Sequence, residues 1–206
     1  MTRLPMTRPS RRAAFLALAA LAAVAGCTKH APAGASAGTS AIGTAAIGGP
    51  FRLIDQNGRT VDQSVLRGKW SAVYFGYTFC PDVCPTTLTA LGEAQAKLGG
   101  RAADFQVIFV TVDPARDTPG QLKTYLSSPA FPRGTLGLTG SPAQIAAAAH
   151  AYRVFYKPTG TGAGYSVDHT SIVYLMDPKG VFSRPLDTSV PPAAIAAQIT
   201  KAMDQA

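Results

Sequence analysis

The fold of this chain is set first by two largely apolar runs. Residues 70–77 (Trp-Ser-Ala-Val-Tyr-Phe-Gly-Tyr) and 105–112 (Phe-Gln-Val-Ile-Phe-Val-Thr-Val) lack the strict apolar–polar alternation of a strand with one wet face. Runs of this length, rich in β-branched and aromatic residues, are expected to be strands buried on both faces. Such strands need helices packed over them. The segment between them supplies one: residues 85–98 place Leu88, Leu91, Ala94 and Leu98 at helical spacing, and Gly99-Gly100 stops the pattern.

The rest of the chain fits the same plan. Residues 51–54 and 59–61 flank Asn57-Gly58, the signature of a tight hairpin. Thr118-Pro119 opens a helix that runs through Leu122 and Tyr125-Leu126. A short strand near 135–138, a helix from Ser141-Pro142 to about Tyr152 and a short strand at 154–156 follow. Residues 157–165, rich in Gly and Thr, are expected to be a loop. Residues 171–176 and 181–184 flank the turn Asp177-Pro178-Lys179-Gly180, and an amphipathic helix at 192–203 closes the chain. After the first hairpin the order is β-α-β-α-β-α-β-β-α. Strand–helix alternation that ends in a hairpin and a helix predicts a mixed α/β sheet flanked by helices, the thioredoxin-like arrangement.

The N-terminus is expected to lie outside that domain. Arg3, Arg8, Arg11 and Arg12 precede an alanine-rich apolar run at 13–25, too short for a comfortable membrane span. The run ends in Val24-Ala25-Gly26-Cys27, which resembles a bacterial lipobox, with Cys27 as the lipidated first residue of the mature protein. Ser10-Arg11-Arg12 followed by Phe15-Leu16 resembles a twin-arginine export signal with its spacing one residue off. The expected organisation is therefore a signal peptide at 1–26, a lipidated Cys27 with a flexible tether at 27–49, and one domain at 50–206. The Ala/Gly/Ser/Thr tether has a root-mean-square reach on the order of 25 Å. This places the domain outside a bacterial cytoplasm, anchored to a membrane by lipid and facing the periplasm, where disulfides persist. Removing the signal lowers the formal charge from +8 to +4, because it carries four arginines and no acid. The remaining cations are scattered, without an aromatic-interleaved basic stretch, which argues against nucleic acid as a partner.

Of three cysteines, only Cys80 and Cys84 fall within the domain. They stand where the first buried run passes into the helix, and three residues separate them. A disulfide closing so short a loop restrains the unfolded chain little, so the pair is better suited to chemistry than to stapling. At a helix N-terminus the dipole and free N–H groups are expected to favour thiolate at Cys84. The pair can hold a soft metal, carry two electrons, or do both. His150 ends a helical run and is expected to cap or pack there. His169 follows the Gly-rich loop; on its own it is expected to be an ordinary surface histidine. Joined to the thiols, it would complete a three-coordinate site. Structural zinc takes four ligands, whereas copper accepts few and soft ones, so such a site favours copper over zinc. With only Met176 and Met203 after the signal, a methionine-rich copper site is excluded.

Three separated motifs carry a family resemblance. They are Gly76-Tyr77-Thr78-Phe79-Cys80-Pro81-Asp82-Val83-Cys84-Pro85, then Thr111-Val112-Asp113-Pro114-Ala115-Arg116-Asp117-Thr118-Pro119, then Asp168-His169-Thr170-Ser171 leading into Tyr174-Leu175-Met176-Asp177-Pro178-Lys179-Gly180. In this order, over residues 51–206, they resemble the Sco (SenC-type) family of copper chaperones. The resemblance implies a thioredoxin-like fold and one copper, Cu(I) or Cu(II), held by Cys80, Cys84 and His169. It implies a metallochaperone rather than an enzyme with turnover, one that helps metallate the binuclear copper site of cytochrome c oxidase. Expected partners are the copper-centre subunit of that oxidase and other extracytoplasmic copper chaperones or thiol reductants. Asp113 and Asp117 match an acidic pair in the pattern; they either dock a partner or act locally, Asp117 capping the next helix and Asp113 shaping the turn. The competing function is a thiol–disulfide oxidoreductase in which Cys80 and Cys84 shuttle electrons to extracytoplasmic cysteines and His169 is incidental. The spacing of the cysteines, one residue longer than Cys-x-x-Cys, weighs against a general catalyst. A peroxide-reducing enzyme on this fold finds no support in the residues around Cys80.

Overall fold

The computed structural model describes residues 46–206. In chain order its elements are β1 (Arg52–Asp55), β2 (Thr60–Asp62), β3 (Trp70–Gly76), α1 (Val83–Lys97), β4 (Phe105–Thr111), α2 (Pro119–Tyr125), β5 (Leu136–Thr139), α3 (Pro142–Ala151), β6 (Tyr156–Thr159), β7 (Ser166–His169), β8 (Val173–Met176), β9 (Phe182–Leu186) and α4 (Pro192–Asp204). Seven strands form one mixed sheet in the order β2-β1-β5-β4-β3-β8-β9. β3, β4 and β5 run parallel at its centre, while β1 and β8 join antiparallel on either side. This is the expected thioredoxin-like architecture, closed by the β8–β9 hairpin and by α4, which packs against α1.

The two apolar runs are the central strands. Every residue of β3 is buried, and β4 is buried apart from Gln106. Gln106 is no exception to the chemistry, since its amide donates to the Val65 carbonyl at 2.7 Å and to the Ser71 hydroxyl at 2.8 Å. Helix starts follow local rules. The Ser141 hydroxyl accepts from the Gln144 N–H, and the Gln144 side chain accepts from the Ser141 N–H, a reciprocal capping box with Pro142 at the first helical position. Thr118 caps α2 in the simpler way, accepting from the Gln121 N–H at 3.2 Å.

Away from the start of α1, the structure departs from the expected elements chiefly in two places. Residues 157–165 are not one loop: β6 and β7 pair as an antiparallel hairpin, and only 160–165 remain as its tip. The strands are four residues each and largely exposed, and Pro158 interrupts the first, so no apolar pattern announces them. Chain packed on the core also reaches further toward the N-terminus than residue 50. Ile47 packs against the core and the Gly48 N–H donates to the Ala151 carbonyl at 2.9 Å, so the domain begins by residue 47. The expected signal peptide, Cys27, His30 and most of the tether lie outside the described residues.

Candidate metal centre

The site is built where β3 ends. The chain leaves the sheet at Gly76, crosses residues 77–82 and enters α1 at Val83, which makes Cys84 the second helical residue. The helix therefore starts two residues before the Pro85 start expected. Pro85 still falls in the first turn, where a missing N–H leaves no intrahelical bond unmade. Asp82, at the cap position, makes no side-chain capping bond. Instead the Cys84 N–H donates to Cys80 Sγ at 3.4 Å, so a sulfur takes the place of the usual capping oxygen. This contact fixes the Cys80 side chain over the helix end.

His169 arrives from the other side. It is the last residue of β7, opposite Tyr156 in the hairpin, and its Nε2 lies 3.6 Å from Cys84 Sγ. Its Nδ1 lies 3.0 Å from the Thr170 carbonyl. A carbonyl can only accept, so Nδ1 carries the proton and the Nε2 lone pair faces the sulfur. Tyr77 and Tyr74 meet the imidazole edge to face, with centroids 5.9 and 6.4 Å away. Burial lowers the His169 pKa below its ordinary value, which keeps the ring neutral and ready to donate a lone pair at neutral pH.

Cys84 corrects one expectation. It is 0% exposed, and burial pushes its thiol up to about 12. A backbone hydrogen bond from Tyr77 and the nearby Tyr74 hydroxyl act in the opposite direction and lose. Desolvation thus outweighs the helix terminus, and Cys84 is a thiol until something replaces its proton. A metal ion does this directly, expelling the proton as it binds. The Tyr74 hydroxyl, buried without a hydrogen-bond partner of good geometry among the described residues, is then placed to donate to the sulfur as it becomes anionic.

The donor atoms of Cys80, Cys84 and His169 all lie within 4.8 Å of one another. Among the described residues this is the one group of three or more His, Cys, Asp and Glu side chains arranged to hold a metal. Both cysteines are free thiols. Two soft sulfurs and one neutral imidazole, without a fourth ligand in the group, fit copper better than a closed structural zinc site. A cleft of about 700 Å³ is lined by residues such as Lys69, Glu93 and Arg133 and shares none with this centre. His150 is exposed on the last turn of α3 and takes no part in it.

Asp113 shapes the turn as expected, its carbonyl accepting from the Arg116 and Asp117 N–H groups, while Asp117 does not cap the next helix, since Thr118 does. Asp113 is 4% exposed and Asp117 is 0% exposed, so both carboxylates point into the fold. Asp117 instead accepts from the Thr78 N–H at 3.0 Å, the Thr78 hydroxyl at 2.6 Å and the Thr111 hydroxyl at 2.6 Å. Burial raises its pKa despite those donors. It ties the loop after β4 to the cysteine loop after β3. Asp113 pairs with Arg116 and accepts from the Tyr165 hydroxyl at 2.6 Å. Gly76, Tyr74, Tyr77 and Arg116 thus belong to the surroundings of the site. Three of them lie inside the motifs already noted, and yet their types alone carry no metal signal.

The sequence profile of the SCO1/SenC family matches residues 39–204. Protein SCO1 homolog 1, mitochondrial, of Arabidopsis thaliana is 44% identical over 139 residues, 66% of this chain and 41% of that protein. The chain thus spans less than half the length of that relative. The structure of Bradyrhizobium japonicum ScoI with copper bound matches with a TM-score of 0.70 at 44% identity, covering 76% of this chain and 99% of that one. BsSco is a member of the Sco family of cytochrome c oxidase assembly proteins in which a disulfide switch was identified. It matches with a TM-score of 0.60 at 26% identity, over 77% of this chain and 94% of that one.

Proposed function

Because this chain belongs to the SCO1/SenC family, we propose that it is a copper-carrying assembly factor that helps metallate the binuclear copper site of cytochrome c oxidase. One observation carries the reading: two thiol sulfurs and an imidazole nitrogen from distant parts of the chain converge within 4.8 Å. The copper-bound state of the Bradyrhizobium relative supports copper as the cargo, one ion per domain. The role of BsSco in an oxidase assembly family supports the recipient.

Copper is handed on by ligand exchange. A three-coordinate ion has room for an incoming thiolate before any resident ligand leaves, so Cys80, Cys84 and His169 can be displaced stepwise. Each cysteine that gives up copper takes back a proton, most readily Cys84, whose buried thiol is strongly favoured over thiolate. No bond in a substrate is made or broken, which makes the protein a carrier and not an enzyme with turnover. On the same reading Cys27 bears a lipid after removal of residues 1–26, and residues 27–46 tether the domain to the outer face of a bacterial cytoplasmic membrane. Its partners there are the copper-centre subunit of the oxidase and the copper donors or thiol reductants that serve it.

A redox role at the same atoms is the second reading. The two thiols are free and adjacent, and a disulfide switch in BsSco favours it. Oxidation would join Cys80 Sγ to Cys84 Sγ, with two electrons and two protons passing to a disulfide on the partner, which becomes a dithiol. The readings differ in what they ask of His169. If copper is carried, His169→Ala should weaken Cu(I) binding roughly 100-fold, at the upper end of what supporting residues alone produce at metal sites. The thiol count and its reversible oxidation should stay unchanged. Unaltered copper affinity in that variant would leave only the redox role.

A further inference from the structure

We propose that Arg116 is a positioning residue of the metal centre: its guanidinium clamps the β6–β7 hairpin to the cysteine loop and so sets where His169 stands relative to the two sulfurs. The proposal builds on His169 being a copper ligand.

The hairpin that delivers His169 needs such a clamp. β6 and β7 pair only with each other and share no ladder with the seven-stranded sheet. Its root is held where the Thr170 N–H donates to the Phe155 carbonyl at 2.9 Å and the Phe155 N–H donates to the Thr170 hydroxyl at 3.1 Å. Its tip is held by Arg116. The guanidinium carbon lies 3.6 Å from the Tyr165 ring centroid, and Nη1 donates to the Tyr165 carbonyl at 2.9 Å and the Ala163 carbonyl at 3.4 Å. Nε donates to Asp113, whose second oxygen accepts from the Tyr165 hydroxyl. Carboxylate, guanidinium and phenol thus close a ring of contacts around the tip.

The same side chain also touches the cysteine loop. Its guanidinium carbon lies 4.7 Å from the Phe79 ring centroid and 5.8 Å from that of Tyr77. Phe79 adjoins Cys80, and the Tyr77 ring meets the His169 imidazole. The loop bearing Arg116 is fastened independently to the cysteine loop through Asp117 and Thr78. One segment, 113–117, therefore grips both halves of the site, Asp117 the thiol half and Arg116 the imidazole half.

Two details fit this role better than plain stabilisation. Nη2 of Arg116 is buried with no hydrogen-bond partner among the described residues, an unfavourable situation for a cation. The fold carries that cost with the cation held among three aromatic rings. The contacts also require a planar fork: a lysine could pair with Asp113 but could not stack on Tyr165 while reaching two carbonyls.

The test is a double-mutant cycle on the reduced domain, read by anaerobic Cu(I) competition, X-ray absorption and amide hydrogen exchange of the metal-free protein. Arg116→Lys should lower copper affinity about tenfold, the scale of orienting residues at metal sites, and reduce the nitrogen contribution to the copper shell. Exchange of the amides at 163–169 should speed up while that of β3 and β4 stays put. Within a His169→Ala background the same substitution should change affinity less than about twofold, because it acts through a ligand no longer present. Tyr165→Phe, which removes a single hydroxyl from the clamp, should give the same pattern more weakly. Equal losses with and without His169 would mean general loosening and overturn the proposal, as would unchanged affinity and exchange in Arg116→Lys. Should His169→Ala itself bind copper like the parent, the ligand reading fails on its own. The exchange data then decide the clamp alone, and unchanged exchange at 163–169 overturns it.

Discussion

A methyl group at position 76 is expected to cost the domain stability and copper together. Gly76 ends β3 with its α-carbon facing the site, and a Cβ there would stand 2.9 Å from Cys84 Sγ and 2.8 Å from Cε2 of Phe109. Real side chains do not pack so closely, and the Phe109 ring is fully buried in the core. Something must yield, and the sulfur is the smaller group. Overpacking of this kind costs about 1–3 kcal/mol. For a domain of this size that lowers Tm by roughly 3–10 °C. If Cys84 Sγ gives way, it leaves the position 3.6 Å from His169 Nε2, and copper affinity in Gly76→Ala should fall by about tenfold. Thermal unfolding and Cu(I) competition on the same sample check both halves.

Gly92→Ala should separate the two effects. Gly92 sits inside α1 where the helix presses on residues 130–132, and an added Cβ would run into the carbonyl oxygen of Ala130 and the carbonyl carbon of Phe131. Both obstacles are backbone, and the helix cannot swing away without loosening its packing on α4. The better helix propensity of alanine returns at most about 1 kcal/mol. Against an overpacking cost of about 3 kcal/mol or more, net destabilisation of roughly 2–3 kcal/mol is expected, with Tm lower by about 5–10 °C. Because Gly92 lies two turns along α1 from Cys84, copper affinity below the transition should stay within about twofold of the parent. A fall matching that of Gly76→Ala would mean that copper binding follows global stability and not the placement of Cys84.

The central sheet was legible in the sequence because burial on both faces leaves a continuous apolar run. β3 and β4 have no wet face, and their residues say so. The helices were legible from leucine spacing and from Ser141 and Thr118 at their starts. β6 and β7 were not, because short exposed strands have nothing to bury and so print no period. The dithiol was plain from spacing, but the approach of His169 was not. A contact across 85 residues leaves no local trace, and only the pattern of three motifs pointed to it. Cys84 and Asp117 differ from expectation for one reason. Cys84 is expected as a thiolate and Asp117 as a cap of α2, because local rules assign these side chains to helix ends. The fold buries both, and burial decides their chemistry: it holds Cys84 protonated and turns Asp117 inward to bind Thr78 and Thr111. The contacts of Arg116 leave no local trace either, since its partners come from three separate loops.

The most direct measurement is an anaerobic Cu(I) titration of the reduced domain, with X-ray absorption at one equivalent. Convergence of Cys80, Cys84 and His169 on one ion predicts saturation at one copper per domain, with two sulfur neighbours and one nitrogen. Saturation without nitrogen, or no binding at all, would contradict it.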